Sequence, residues 1–224
     1  MPTTAQIVAM DTADLQVLSS QAVRGLSTDA IGALHTEQVV AFTSAQLNAL
    51  TSSQILALNT DQVDSLTTAQ IAGLSVAQIQ AMDTAQISSF TTEQIHVLQS
   101  TQIAALAPED LKAFEANQIG ALTSTQAAAL SHVQVAAIDS ADVASFTTAA
   151  LRALSTSAIQ ALGTDAFESL NSSQIAAIET GDLRSLSTAT LRGLATDQLN
   201  ALTTDQVVAL NTAQVLALSS LQLG

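Results

Sequence analysis

An uninterrupted eight-residue repeat runs along this chain from residue 3 to residue 218, and it restricts the possible folds more than any other feature. From Leu66 onward, for example, a large apolar residue returns at every eighth position, at Leu74, Met82 and Phe90. The spacing holds for 27 octads without an insertion, and a partial unit, residues 219–224, follows. In proteins with a fixed repeat, each unit buries its apolar face against its neighbours. We therefore expect a single repeat domain, residues 1–224, without a linker.

Each position of the octad has its own chemistry when position 1 is placed at residue 3. Position 1 is usually Thr, Ser, Asp or Asn, position 4 is Gln in 17 octads, and positions 5 and 8 are apolar. Thr or Ser followed three residues later by Gln is the capping-box signature of a helix start. In the same register, positions 8 and 5 form the apolar pair that flanks such a start. The pattern predicts an N-cap at position 1 of every octad, followed by a helix of about five to six residues.

The placement of proline and of charged residues supports this register. Pro108 occupies position 2, the first helical residue, where the missing amide hydrogen costs nothing. Of the 19 acidic residues, 17 lie at positions 1, 3 or 4, at the start of the helix, where the helix dipole favours negative charge. All five basic residues lie at position 6, near the helix end: Arg24, Lys112, Arg152, Arg184 and Arg192. The charges therefore follow the dipole of a helix that restarts in each octad.

The repeat excludes one long amphipathic helix, because eight residues advance an α-helix by about 80° beyond two full turns and no apolar stripe persists. Helices as short as these are unstable alone and need neighbours. We predict an all-α solenoid, a superhelix of 27 short N-capped helices, with positions 5 and 8 inside and positions 2, 3 and 6 outside. The pattern determines neither the handedness nor the number of octads per turn. A β-solenoid is the alternative, because Thr, Ile and Val also suit strands.

Composition excludes several classes of partner and site. The net charge of −14 argues against direct binding to nucleic acid, which requires clustered Lys and Arg. The chain has no Cys, so disulfides, thiolate metal sites and Cys nucleophiles are excluded. Polar residues interrupt every apolar run well before the length of a membrane span, and we expect no membrane insertion. The start of the chain is not a basic signal-peptide leader.

No residue pattern predicts a catalytic, cofactor or metal site. The three histidines, His35, His96 and His132, lie 61 and 36 residues apart, without metal-ligand spacing. Pairs of carboxylates recur near helix starts, where complementing the dipole explains them better than binding calcium does: Asp11 with Asp14, Asp61 with Asp64, Glu109 with Asp110, Asp139 with Asp142, and Glu179 with Asp182. The abundant Ser and Thr residues are explained as helix N-caps and do not indicate a catalytic nucleophile. We expect no enzyme activity and no cofactor.

The consensus Thr-Thr-Ala-Gln-Ile-x-Ala-Leu, as in residues 67–74, resembles the octapeptide-repeat tracts of large proteobacterial surface or secreted proteins of the adhesion type. The resemblance covers essentially the whole chain and implies an extracellular or cell-surface location. It also implies a non-catalytic structural spacer or interaction scaffold within a larger protein. The alternative is an acidic protein-binding module that mimics the charge of nucleic acid. A protein partner and end-to-end self-association are both compatible with this sequence.

Overall fold

A computed structural model of the chain describes residues 3–218, which are the 27 complete octads; the partial unit 219–224 lies outside the described residues. Residues 3–218 form short α-helices and no strand. The predicted all-α solenoid is therefore confirmed, and the β-solenoid alternative is wrong. The octads group into two compact units, residues 1–106 and residues 107–224, called here the first and the second unit. The single domain of residues 1–224 stays a prediction.

Each octad contributes one helix, which begins at its position 2. The first unit contains α1 (Thr4–Val8), α2 (Thr12–Gln16), α3 (Ser20–Arg24), α4 (Thr28–Gly32), α5 (Thr36–Ala41), α6 (Ser44–Ala49), α7 (Ser52–Leu56), α8 (Thr60–Ser65), α9 (Thr68–Ala72), α10 (Val76–Ile79), α11 (Thr84–Ser88), α12 (Thr92–Val97) and α13 (Ser100–Ile103). The second unit contains α14 (Pro108–Lys112), α15 (Ala116–Gly120), α16 (Ser124–Ala128), α17 (His132–Ala137), α18 (Ser140–Val143), α19 (Thr148–Ala153), α20 (Thr156–Ala161), α21 (Thr164–Ser169), α22 (Ser172–Ala177), α23 (Thr180–Ser185), α24 (Thr188–Gly193), α25 (Thr196–Asn200), α26 (Thr204–Ala209) and α27 (Thr212–Ala217).

The capping box forms as predicted and starts the helices. In α9 the Thr67 hydroxyl accepts a hydrogen bond from the Gln70 amide at 3.2 Å, and the Gln70 Oε1 accepts one from the Thr67 amide at 2.8 Å. Most helices have five or six residues, as expected, but α10, α13 and α18 have only four. The cap bonds satisfy amides that have no partner inside the helix. Two helices, α21 and α23, begin without a side-chain cap bond or a capping box, after Gly163 and Glu179.

Two extended residues, at positions 8 and 1, connect each helix to the next. Between α8 and α9 these are Leu66, with φ −59° and ψ 138°, and Thr67, with φ −67° and ψ 155°. The Leu66 amide still donates to the Val63 carbonyl at 3.1 Å. No residue of 3–218 has a positive φ, so the turn requires no glycine. This explains how an octad with few glycines changes direction every eight residues.

Positions 5 and 8 form the core of both units, as predicted. Around α9, for example, Ile71 is 0% exposed and Leu74 is 4% exposed. Positions 2, 3 and 6 lie on the outside, at Thr68, Ala69 and the half-buried Ala72. The core is built from Leu, Ile, Val and a few Phe side chains, and burying these apolar side chains is what holds short helices together.

Successive turns of the superhelix stack helix on helix. Within each unit, a helix packs against the helix three octads away, as α2 does against α5 and α17 does against α20. Side chains at position 6 add to this contact by donating to the position 7 carbonyl three octads later. Examples are Gln160 Nε2 to the Ser185 carbonyl at 3.4 Å and Arg152 Nε to the Ala177 carbonyl, also at 3.4 Å.

A buried glutamine at position 4 joins each turn to the turn before it. In α12, Gln94 Oε1 accepts from the Thr91 amide at 3.0 Å, which completes the capping box. Its Nε2 donates to three carbonyls of the octad four units earlier, at 3.0, 2.9 and 2.7 Å. These carbonyls belong to Val63, Asp64 and Leu66. One side chain therefore caps its own helix and also donates to the unpaired carbonyls at the C-terminal end of another helix.

This inter-turn bond is repeated along both units. Glutamine Nε2 atoms donate to carbonyls four octads earlier at Gln38, Gln46, Gln54, Gln62, Gln70, Gln78, Gln86, Gln94, Gln102, Gln174, Gln198, Gln206 and Gln214. Helices pack on the third neighbour while the glutamines reach the fourth. Within each unit, one turn of the superhelix therefore takes between three and four octads, the quantity that the sequence pattern left undetermined.

Candidate interaction surface

The outer surface of each unit is formed by positions 2, 3 and 6, and its charge is mostly negative. Eight carboxylates occupy position 3, all of them exposed: Asp29, Glu37, Asp61, Glu93, Glu109, Asp165, Asp197 and Asp205. Hydrogen bonds from its own backbone amide and from the Thr92 hydroxyl lower the pKa of Glu93. Glu93 is therefore ionised at neutral pH. All eight carboxylates lie at helix starts, where the helix dipole stabilises negative charge.

The three histidines do not converge on a site. His35, His96 and His132 are all exposed, and they belong to α5's cap, to α12 and to α17. In residues 3–218, no group of three or more His, Asp or Glu side chains is arranged so that it could hold a metal ion. The histidines are therefore single substitutions on the outer surface.

Three of the predicted carboxylate pairs have a local role that the structure makes explicit. In one of them, Asp110 Oδ2 accepts from the Ala107 amide at 2.9 Å at the start of α14. Asp11 caps α2 by accepting from the Asp14 amide at 2.8 Å, and Asp139 accepts from the Ala141 amide at 3.0 Å at the start of α18. In each pair, one carboxylate is thus used for capping. This agrees with the interpretation that the pairs complement helix starts.

A shallow open groove of about 460 Å³ lies between α19 and α22 in the second unit. Its lining consists of Thr148, Ala149, Arg152, Ser173, Ala176 and Ala177. The guanidinium of Arg152 already donates to the Ala177 carbonyl, and it lies 3.9 Å from the exposed Glu179 carboxylate. Around this paired guanidinium the groove offers methyl groups and two hydroxyls, which is the chemistry of a weak contact surface rather than of a reaction centre.

Asp142 is a half-buried carboxylate whose surroundings raise its pKa. It stands at position 4 of its octad, where most octads carry the inter-turn glutamine. Partial burial raises its pKa above the ordinary value of 3.8, and the carboxylates of Asp139 and Glu115 raise it further. Unlike glutamine, a carboxylate has no hydrogen to donate to the carbonyls of the preceding turn. Its ionised form therefore costs stability.

We expect Asp142→Gln to stabilise the second unit by about 1 to 2 kcal/mol at neutral pH, because it restores an amide donor toward the carbonyls of Leu111 and Phe114. A raised pKa means that the ionised aspartate costs stability above that pKa, and that this cost disappears as the pH falls toward 3.8. The advantage of glutamine should therefore shrink in acid. Urea unfolding at neutral pH and at about pH 4 measures this. The exposed Glu109→Gln is the control, and a loss of stability in Asp142→Gln would contradict the expectation.

In the first and last described octads, the exposure of positions 4, 5 and 8 differs from that in the octads between them. At the start, position 4 is exposed at Gln6, Asp14 and Ala22. At the other end, positions 5 and 8 are incompletely covered at Val207, Leu210, Val215 and Leu218.

The sequence model of one protein family, the ALTTAQ repeat, matches residues 7–44, 39–76, 76–108, 103–137, 135–172 and 175–212. No curated protein matches the chain. Among residues 3–218, every helix is too short to cross a lipid bilayer.

Proposed function

Because this chain belongs to the ALTTAQ repeat family, whose repeat covers nearly all of it, we propose that it is a structural repeat protein. In this proposal it is a non-catalytic spacer or interaction scaffold, part of a larger bacterial protein at the cell surface or secreted. The family match supports the structural role. The location rests on the resemblance of the octapeptide to tracts of large proteobacterial adhesion-type proteins.

The observation that carries the proposal is how the polar side chains are used. Thr and Ser at position 1 cap their own helices, as Thr67 does, and Gln at position 4 is bonded to two helices, as Gln94 is. Among the residues that the structure describes, every buried side-chain nitrogen or oxygen has a hydrogen-bond partner. The Thr, Ser and Gln side chains of the repeat therefore form hydrogen bonds that maintain a regular array, which is what a spacer requires.

A spacer must keep its octads at fixed distances, and this can be measured within each unit. The chain has no Cys, so a pair of spin labels can be placed in the first unit at Ala13→Cys and Ala69→Cys, both at exposed position 3. We expect a single narrow distance distribution by double electron–electron resonance, unchanged between low and high salt. A second pair, Glu109→Cys with Asp205→Cys, makes the same measurement within the second unit. A broad distribution within either unit would contradict the spacer.

The second candidate is an acidic module that binds a basic protein in place of nucleic acid. It is favoured by the exposed carboxylates at position 3 and the net charge of −14. Binding to a purified histone should weaken steeply with salt and compete with duplex DNA. A variant with Asp29, Asp61, Asp197 and Asp205 changed to Asn should keep the fold, because all four residues are exposed, and should bind more weakly. Binding that is unaffected by about 0.5 M salt would exclude charge mimicry.

A further inference from the structure

Four consecutive octads of the second unit lack the glutamine that joins one turn to the turn before it. Counted from residues 3–10 as the first, they are octads 18 to 21, residues 139–170. Their position 4 residues are Asp142, Ala150, Ala158 and Ala166. In the first unit, by contrast, every octad from Gln38 to Gln102 has glutamine at this position. A methyl group and an ionised carboxylate have no hydrogen to donate, so the side-chain amide bond between turns is missing in four octads in succession.

The carbonyls that glutamines would reach from these octads have no donor. The position 8 carbonyls four octads earlier belong to Phe114, Leu122, Leu130 and Ile138. All four residues are buried, and none of these carbonyl oxygens accepts a hydrogen bond from residues 3–218. Where glutamine is present, the equivalent oxygen is bonded, as that of Leu66 is to Gln94 Nε2 at 2.7 Å. A buried carbonyl without a donor costs stability, so this interface is weaker than those that contain glutamine.

The same interface also contains the smallest side chain found at position 5. This position is Ile, Val or Leu in every octad except two, which have Ala127 and Phe167. Ala127 belongs to α16, which packs on α19, and both Ala127 and Ala150 of α19 are 0% exposed. Small side chains let the two helices approach each other, but they remove less apolar surface from water than large aliphatic side chains do. The polar and the apolar stabilisation are therefore reduced at the same interface.

The missing bonds extend around a complete turn. One turn takes between three and four octads, so four consecutive octads occupy the whole circumference of the superhelix. Octads 23 and 24 also lack glutamine, but Gln174 and Gln198 on either side donate to carbonyls four octads earlier, at 2.8 and 2.6 Å. No such bond bridges the gap in octads 18 to 21. We call the interface between residues 107–138 and residues 139–170 the seam.

In a repeat array, the free energy of opening an interface depends on the residues of that interface. Each helix of the second unit packs on the helix three octads away, and each inter-turn glutamine reaches four octads back. Stability is therefore approximately a sum over neighbouring octads. Proteins open locally where this sum is lowest, at a free-energy cost below that of unfolding the whole chain. The seam is such a place.

We propose that the array opens at the seam, as a local event that precedes unfolding of the rest of the chain. The turn formed by α18–α21 separates from the turn formed by α14–α17. It stays joined to the following turn through Gln174 and Gln198. Under tension along the array, the seam is therefore the first interface to yield. This inference goes beyond the proposed function and does not depend on it.

Thiol labelling of single-cysteine variants measures the opening, because the chain has no Cys. Val135→Cys places a thiol at position 5 of α17, on which α20 packs across the seam. Val63→Cys places one at the same position of α8, where Gln94 donates to the residue 63 carbonyl. The two valines are 1% and 0% exposed. We expect N-ethylmaleimide to label Val135→Cys at least about 10-fold faster, after each rate is divided by that of the same variant unfolded in urea.

Urea distinguishes local opening from global unfolding. Opening the seam exposes little surface, so labelling of Val135→Cys should depend only weakly on urea at low concentration. The corrected rates of the two variants should converge as urea unfolds the whole chain. Equal corrected rates without urea would overturn the proposal. A Val135→Cys rate with the full urea dependence of global unfolding would also overturn it, because the thiol would then be reached only by unfolding the chain.

Adding glutamines to the seam should close it. In the Val135→Cys chain, Ala158→Gln with Ala166→Gln supplies amide donors toward the carbonyls of Leu130 and Ile138, and labelling should slow about 10-fold. The control is Ala141→Gln with Ala149→Gln, at exposed position 3, which should leave the rate unchanged. Helical circular dichroism checks that each variant is folded. A folded seam variant that is labelled as fast as its control would contradict the proposal.

Removing glutamines from another turn should create a second seam, and this test does not depend on fitting larger side chains. In the Val63→Cys chain, four substitutions remove glutamine from a complete turn of the first unit: Gln70→Ala, Gln78→Ala, Gln86→Ala and Gln94→Ala. Octads 18 to 21 show that a turn without these glutamines still packs. We expect labelling to become at least about 10-fold faster. An unchanged rate would show that the missing amides do not weaken the interface, and the proposal would be wrong.

Discussion

An Ile103→Asp variant is expected to lose about 5 kcal/mol of unfolding free energy, the largest effect of any single change considered. Ile103 is a position 5 side chain that is 0% exposed, and a carboxylate there would be buried in apolar surroundings. Leu106→Asp, at a position 8 side chain that is 4% exposed, should have a similar effect. Urea unfolding followed by circular dichroism at neutral pH measures both.

The control for this prediction is the adjacent residue. Ala104→Asp changes an exposed position 6, which already carries an aspartate in another octad at Asp64. We expect its unfolding free energy to change by less than about 0.5 kcal/mol. Equal losses at residues 103 and 104 would refute the assignment of inner and outer positions. Because each octad contacts only nearby octads, the Ile103→Asp transition should also become less cooperative, with a smaller dependence on urea.

Gln94→Glu is expected to cost about 3 to 5 kcal/mol at neutral pH, although the two side chains have nearly the same shape. The Nε2 of Gln94 donates to three carbonyls at 2.7 to 3.0 Å, and the side chain is 1% exposed. A carboxylate would direct negative oxygens at those carbonyls and leave them without a donor. Glu can complete a capping box as Gln does. At residue 94 it cannot replace Gln, because it has no hydrogen to donate to these three carbonyls.

The pH dependence and a matched control make this prediction specific. Burial and the facing carbonyls should raise the pKa of the introduced Glu, so the cost is present above that pKa and falls as acid protonates the carboxyl. Gln80→Glu, at an exposed position 6 where Glu168 occurs in another octad, should change stability by less than about 0.5 kcal/mol. Thermal or urea unfolding at neutral and acid pH measures both variants. A Gln94→Glu variant as stable as Gln80→Glu would contradict the inter-turn role of the glutamine.

The local structure was predictable because its causes lie within one octad. Thr67 caps α9 through Gln70, three residues away, and Pro108 stands at the first residue of α14, as predicted. Ile71 and Leu74 are buried because their spacing brings both to the same side of a helix that restarts every eight residues. The choice between helix and strand was equally local, since the caps and dipole-ordered charges are properties of helix ends.

The inter-turn role of position 4 was missed, although the sequence contains a signal for it. Glu serves a capping box as well as Gln does, yet position 4 has 17 Gln and no Glu. The side chain's part in the capping box uses only Oε1, so the preference for Gln over Glu indicates that Nε2 has a partner. That partner could not be identified from sequence, because the Val63 and Leu66 carbonyls lie 31 and 28 residues before Gln94.

The sequence by itself determined where each helix begins, which positions are buried and that the fold is an all-α repeat. These follow from bonds and contacts between residues at most eight apart. Only the tertiary structure decided that a turn takes between three and four octads, and hence which carbonyls the glutamines reach. The physical reason is that the turn angle depends on small differences in the backbone angles at positions 8 and 1, added up over several octads. Packing between turns selects among those angles, and the residues that pack are about 28 positions apart.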